Sequence, residues 1–169
     1  YLDTTGAEKG VCDPSDTCKW IEYPQDSDGF TYGLKIVEQG KDSKTFVVIN
    51  KEEDVVATLP NGIEVAYIPA KGVIICQYGT WGSIDEYYQV CDITGKLINE
   101  TEFEDIGRFY NGLAPFLLDG KLGIIDDKGV IVIPATYPVD TTYYDAFGMN
   151  EDLILVNTEG RIGIIEITR

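Results

Sequence analysis

The apolar positions of the chain fall into short runs that are separated by turn residues rich in Asp, Asn and Gly. The clearest unit has three such runs, at residues 113–118, 121–125 and 130–133. Asp119-Gly120 between the first two favours a type I′ hairpin, because both central residues of that turn need positive φ. Short β-branched runs bounded by turns are typical of strands, and no long stretch has helical apolar spacing. The pattern predicts a three-strand antiparallel meander.

Similar units recur along the chain at intervals of about forty residues. Residues 153–165 repeat the first two runs, and weaker copies occupy residues 34–57 and 72–98. The residues that open the second turn of each copy are spaced by 42, 34 and 40 positions: Asn50, Asp92, Asp126 and Glu166. The chain ends at Arg169, before a third strand of the last copy.

These repeats predict an all-β fold, an antiparallel β-meander built from about four diverged three-strand units. One hairpin unit cannot bury its apolar face alone, so neighbouring units must stack on one another. Solenoid-like and propeller-like arrangements are both compatible with the pattern. Gly123 and Gly163 recur in the middle of predicted strands, where Gly normally weakens a sheet, and we interpret them as sites of close backbone approach between stacked units.

Residues 1–32 differ from the remainder, since Gly, Pro and Asp interrupt their short apolar pieces. This composition predicts an irregular N-terminal cap over 1–32, followed by a β-repeat domain over 33–169.

The repeat motifs resemble those of the WG-repeat family. Residues 111–114 (Asn-Gly-Leu-Ala), 120–126 (Gly-Lys-Leu-Gly-Ile-Ile-Asp) and 129–134 (Gly-Val-Ile-Val-Ile-Pro) match its successive segments. The resemblance covers residues 103–168, with Leu122 and Ile162 where the family has Trp. The literal family string, Trp-Gly-Ser-Ile-Asp at 81–85, is placed in a loop, with the strand at 88–92. The resemblance implies a bacterial repeat protein, often exported or surface-associated, without shared catalytic residues.

The charge balance limits the classes of partner. Thirteen Lys and Arg residues stand against 29 Asp and Glu residues, which gives a net charge of −16. Such a surface repels nucleic acids and anionic lipids. The chain has no His, the commonest general base and transition-metal ligand, so we predict no catalytic residue, metal or cofactor and no enzyme activity. No stretch is long and apolar enough to predict a membrane span.

The four cysteines are Cys12, Cys18, Cys76 and Cys91. Their spacing is not that of a zinc ribbon. Cys76 and Cys91 flank a loop on predicted paired strands, directly opposite each other, and an opposed pair can form a disulfide. We therefore predict the disulfides Cys12–Cys18 and Cys76–Cys91, with buried free thiols as the alternative. Disulfides favour a secreted, cell-surface or periplasmic protein.

The loop between these cysteines is rich in aromatic residues and carboxylates. Tyr78, Trp81, Tyr87 and Tyr88 are candidates for binding a partner, because exposed aromatic rings suit stacking on a sugar or a peptide. The other interpretation, which the sequence slightly favours, is that Trp81 folds back over the sheet as a local core. Burial of both the Trp81 and Tyr87 rings would remove the basis of the binding hypothesis.

Three functions follow from these features. The first is a non-catalytic binding or scaffolding module of an exported bacterial protein, with an unknown protein or glycan partner. The second is a structural subunit of a surface assembly, in which edge strands join copies into a homo-oligomer. The third is a carbohydrate-binding or glycan-active protein that uses the aromatic loop around Trp81.

Overall fold

The computed structural model describes residues 25–40, 44–139, 147–150, 153–158 and 161–166, with side chains up to residue 139. The predicted cap therefore lies largely outside the described residues. Thirteen strands account for all the regular structure described: β1 Lys35–Gln39, β2 Thr45–Ile49, β3 Val55–Thr58, β4 Ile63–Ala70, β5 Val73–Tyr78, β6 Tyr87–Asp92, β7 Asp105–Ile106, β8 Leu113–Leu118, β9 Lys121–Asp126, β10 Ile131–Pro138, β11 Phe147–Asn150, β12 Leu153–Thr158 and β13 Arg161–Glu166.

The strands form four antiparallel sheets, each of which is a meander. The first sheet contains β1 to β3, the second β4 to β6, the third β7 to β10, and the fourth β11 to β13. The prediction of an all-β antiparallel meander is confirmed. Each of the last three sheets also begins with a leading strand that the repeat pattern did not predict. The third strand predicted at 96–98 is reduced to a single bridge between Cys91 and Leu97.

The first three sheets pack through two shared apolar cores, and β5 of the second sheet lies between those cores. Every residue of β5 is buried, so neither of its faces meets solvent. Ile74 and Cys76 pack against Phe46 and Val48 of the first sheet. Residues of the opposite parity, Val73 and Ile75, pack against the third sheet through Phe103, Phe116 and Ile125. The second sheet is thus the shared partner of its two neighbours.

The residues that open the second turns close those turns with their own side chains. Oδ1 of Asn50 accepts the N–H groups of Glu52 and Asp54 at 3.1 and 2.9 Å. Asp92 accepts those of Thr94 and Lys96 at 2.8 and 3.1 Å, and Asp126 those of Lys128 and Val130 at 2.9 and 2.8 Å. A short side chain carrying an oxygen suits this geometry, which explains the Asn or Asp at these three turns; the side chain of Glu166, at the fourth, lies outside the described residues.

Glycines in these turns allow neighbouring sheets to approach closely. A Cβ on Gly95 would lie 2.5 Å from the carbonyl oxygen of Thr58, at the end of β3. A Cβ on Gly129 would lie 2.5 Å from Cδ1 of Ile98. The second turns of the second and third sheets therefore pack on the third strand or segment of the preceding sheet.

Gly123 has a different role from the one predicted. A Cβ at this position would collide with the Phe116 ring on the paired strand β8 and would lie 2.7 Å from the carbonyl oxygen of Ile133. Both obstacles belong to the same sheet, so the prediction of close approach between stacked units is wrong for Gly123. The glycine makes room for the Phe116 ring, which packs edge to face with Phe103 at 4.8 Å.

We expect Gly123→Ala to lower the free energy of unfolding by about 1–3 kcal/mol, the usual range for an overpacked core. The measurement is denaturant unfolding of the single variant, of Phe116→Leu, and of the double variant. The smaller leucine side chain leaves room for the new methyl group, so the double variant should lose less than the two single losses combined. Strict additivity would show that Phe116 is not the obstacle.

Candidate functional site

The loop between β5 and β6, residues 79–86, is called the Trp81 loop. The amide of Ser83 bonds to the carbonyl of Thr80 at 2.9 Å, and the amide of Glu86 to the carbonyl of Ser83 at 3.2 Å. Two successive turns therefore build the loop. The prediction that the Trp-Gly-Ser-Ile-Asp string lies in a loop is confirmed, and β6 supplies the return strand.

The carboxylate of Glu86 ties the Trp81 loop to both flanking strands. It accepts hydrogen bonds from Gln77 Nε2 of β5 at 2.9 Å and from the Tyr88 hydroxyl of β6 at 2.6 Å. It also accepts the backbone N–H of Gly82, next to Trp81. Hydrogen bonds to a charged group are stronger than neutral ones, so this side chain holds the loop in one conformation.

A stacked pair of tyrosines forms the base of the loop. The rings of Tyr78 and Tyr87 lie 4.7 Å apart and 4° from parallel, on residues that are cross-strand partners. Tyr78 is buried, and that burial raises the pKa of its hydroxyl well above the ordinary range. Burial, followed by the charge of Glu102, also raises the pKa of Tyr87. The stacked pair therefore lies where the loop joins β5 and β6 and holds these two strand ends together.

The tip of the loop presents two apolar side chains to solvent. Trp81 is 82% exposed and Ile84 is 100% exposed. Of the four aromatic residues predicted to bind a partner, Trp81 is the one at the tip, whereas Tyr78 and Tyr88 are engaged within the loop's support and Tyr87 is half-buried. The basis of the binding hypothesis therefore remains. Sequence reasoning missed Ile84, although it stands in an otherwise polar stretch of the same motif.

The two central cysteines lie below the loop as diagonal neighbours. In the β5–β6 register, Cys91 pairs with Ile74 and Cys76 pairs with Gln89. The prediction that the cysteines are directly opposite is therefore wrong, because the Tyr78–Tyr87 pairing centres the hairpin between Gly82 and Ser83.

Both thiols are free and buried, and their Sγ atoms lie 3.7 Å apart. The Cys76–Cys91 disulfide is not confirmed, and Cys12 and Cys18 lie outside the described residues. The hydrogen bond that the Cys76 thiol donates to Cys91, together with burial, raises the pKa of Cys76.

We expect a Cys12→Ser/Cys18→Ser variant, prepared without reductant, to show no reactive thiol when folded and two when unfolded. Burial protects both sulfurs in the fold, and 3.7 Å is far beyond the roughly 2.05 Å of a disulfide. The measurement is an aromatic-disulfide thiol titration with and without denaturant. Absence of thiols after unfolding would mean that the Cys76–Cys91 disulfide forms.

Asp105 on β7 is a partly buried carboxyl near the loop. Burial raises its pKa, the Ile106 backbone N–H that bonds to it lowers it, and the charge of Glu86 raises it further, so the net direction is upward. No cluster of three potential metal-ligating side chains occurs among the residues with described side chains. The candidate site therefore consists of the exposed side chains of Trp81 and Ile84, with the Glu86 carboxylate bonded within the loop and the Asp105 carboxyl near Glu86.

We expect Asp105→Asn to stabilise the fold more at pH 7 than at pH 3. Because the folded-state pKa is raised, the protonated carboxyl favours folding at low pH, and that contribution is lost as pH rises through the folded pKa. The side-chain amide of the Asp105→Asn variant does not titrate, so the variant does not lose this stability as the pH rises. Denaturant unfolding at the two pH values measures the effect, with Asp119→Asn on the exposed β8–β9 turn as the matched control. An equal response of both variants would contradict the raised pKa.

The family comparison gives a match at the junction of the second and third sheets. Residues 90–121 match the family model described as WG containing repeat, from the end of β6 to the start of β9. This match confirms the resemblance found in the motifs. A search of curated proteins and a search of solved structures each found no match. Within the described residues, no helix has the length and apolar character needed to cross a membrane.

Proposed function

We propose that this chain, which carries a WG repeat, is a non-catalytic binding module of an exported bacterial protein and that the Trp81 loop contacts a protein partner. The observation that carries the proposal is the exposure of Trp81 and Ile84 on a loop whose position Glu86 and the tyrosine pair maintain. The exported, bacterial context rests on the family resemblance.

Preorganisation supports a binding role for this loop. Ordering a flexible loop on association costs free energy, and a loop already held by hydrogen bonds avoids much of that cost. Trp is also among the residues that most often dominate binding energy at protein interfaces. A tip that served only to connect two strands would not need either apolar side chain exposed.

The chemistry of the tip favours a protein over a glycan. Sugar binding requires a flat aromatic face together with hydrogen-bonding groups beside it. The loop also exposes polar residues (Thr80, Ser83 and Asp85), but Ile84, which is 100% exposed, adds aliphatic surface that forms no hydrogen bond with a sugar. An apolar pocket on a protein would accept both Trp81 and Ile84.

The test is a selection of displayed random peptides on the wild-type chain, with a glycan array probed in parallel. Affinities of the selected peptides are then measured for Trp81→Ala, Glu86→Ala and the control Val65→Ala, which changes an exposed apolar residue on β4. We expect Trp81→Ala to weaken binding at least about tenfold, or 1.4 kcal/mol. Glu86→Ala should weaken it less, because the tip is intact but no longer held, and Val65→Ala should have no effect.

Trp81→Ala should leave the thermal midpoint unchanged, since the side chain is 82% exposed. Peptides that bind Trp81→Ala as tightly as the wild type, or a selection that enriches none, would overturn the proposal. Trp81-dependent glycan binding without peptide binding would replace the protein partner with a sugar.

A further inference from the structure

The Trp81 loop and the residues that follow it carry many carboxylates and a single cation. Residues 79–106 contain seven Asp and Glu residues, and Lys96 is the one Lys or Arg among them. Lys96 belongs to the turn that Asp92 opens after β6, whereas the Trp81 loop precedes that strand. The lysine and the loop therefore lie at opposite ends of β6, and the loop end receives negative charge alone from these residues.

Residues 102–104 run beside the start of β6, at the base of the Trp81 loop. The backbone groups of Tyr88 and Phe103 bond to each other in both directions, at 2.8 and 2.9 Å. This pairing brings Glu102 close to Tyr87, where its charge adds to burial in raising the pKa of the Tyr87 hydroxyl. A second segment of the chain thus contributes a carboxylate to the surface around the loop.

The carboxylates of this surface differ in whether a partner can use them. Glu86 is engaged by three donors, and Asp105 is partly buried. Asp85 and Glu102 are exposed, and no hydrogen bond or ion pair in the described part of the chain involves either carboxylate. One free negative charge therefore lies on the loop itself, and a second lies at its base.

Any protein surface that covers Trp81 and Ile84 must also accommodate these two charges. Taking a carboxylate out of water without a counter-charge costs free energy, and a like charge across the interface repels it. A second copy of this chain would bring a net charge of −16 and the same free carboxylates. Positive groups around an apolar centre would match both the apolar side chains and the charges.

Arginine suits this surface better than lysine. Its planar guanidinium stacks on aromatic faces, Trp above all, and pairs with a carboxylate through two parallel hydrogen bonds. The Trp81 loop offers both groups, since the Trp81 side chain is 82% exposed and the Asp85 carboxylate is free.

We infer that the partner of the Trp81 loop is a protein segment in which arginines flank apolar residues. The apolar residues would cover Trp81 and Ile84, and the arginines would pair with Asp85 and Glu102. The inference rests on the binding function proposed for this loop and adds the chemistry of its partner. Charges at the rim of an interface act chiefly on the rate of association, so the pairs should speed binding more than they slow release.

The test begins with three displayed peptide libraries, each selected on the wild-type chain. Two positions are fixed as Arg, as Gln or as Glu, and the remaining positions are random among uncharged residues. We expect the Arg library to give peptides whose binding depends on Trp81, as Trp81→Ala measures. The Gln library should give weaker peptides of the same kind, and the Glu library none.

The tightest Arg peptide is then measured against two double variants. Asp85→Asn/Glu102→Gln removes the free carboxylates at the loop. Asp54→Asn/Glu52→Gln removes two exposed carboxylates from the turn that Asn50 opens. The two variants match in the substitutions and in the charge removed, and they differ in position.

We expect the loop variant to weaken binding about fivefold, within the range for two exposed ion pairs, and the turn variant to weaken it less than about twofold. Citrulline in place of both peptide arginines should weaken binding to the wild type, but it should cause little further loss with the loop variant, because the pairs are already absent. Added salt should weaken the wild-type complex more than the loop-variant complex. If the loop variant lowers the thermal midpoint, the citrulline peptide on the wild type still tests the pairs.

Two results would overturn this inference and leave the proposed function in place. One is a Gln peptide that binds as tightly as the Arg peptide and loses as much on Trp81→Ala, since the partner would then need no charge. The other is an equal loss for the two double variants, which would show diffuse attraction to an acidic surface. Libraries that yield no Trp81-dependent peptide would overturn the proposed function as well.

Discussion

Packing of the first three sheets through their shared apolar cores is the interaction on which the rest of this structure depends. The described sheets have three or four strands, and the second has both faces covered through β5. A buried apolar residue contributes about 1.5–3 kcal/mol relative to an exposed one, and the two layers of core around β5 contain most of the buried residues. The turns, the glycines and the loop all take positions that this packing allows.

The sequence indicated the faces of the strands better than their pairing. Alternation assigns each residue to one face, but a shift of two residues in register leaves every side chain on the same face. This is why Cys76 and Cys91 were correctly placed on one side of the sheet and yet wrongly placed opposite each other. The register depends on the stacked tyrosine pair and on the turns within the Trp81 loop, whose geometry the apolar pattern does not encode.

Strands were predictable where turn chemistry bounded them. Asp119-Gly120 and the Asp and Asn residues of the second turns are local signals, and β2, β8 and β9 followed from them. The leading strand β7 has two residues, too few to show any periodicity. The sequence marked Gly123 as unusual within a strand. That it lies against the Phe116 ring depends on the strand pairing, which the sequence pattern does not give. For the candidate site, sequence composition pointed to Trp81. The exposure of Ile84 and the three hydrogen-bond donors to Glu86 are visible only in the folded structure.

The contact between successive turns has a consequence for cooperativity. Asn99 donates from Nδ2 to the carbonyl oxygen of Gly129 at 3.1 Å, so a side chain of the segment that follows the second sheet bonds to the turn of the third. This contact couples the stability of two neighbouring repeats, as in a one-dimensional array of repeats. Unfolding should then begin at the ends of the stack, and the Trp81 loop, carried by the central sheet, would keep its shape after an outer sheet had begun to open.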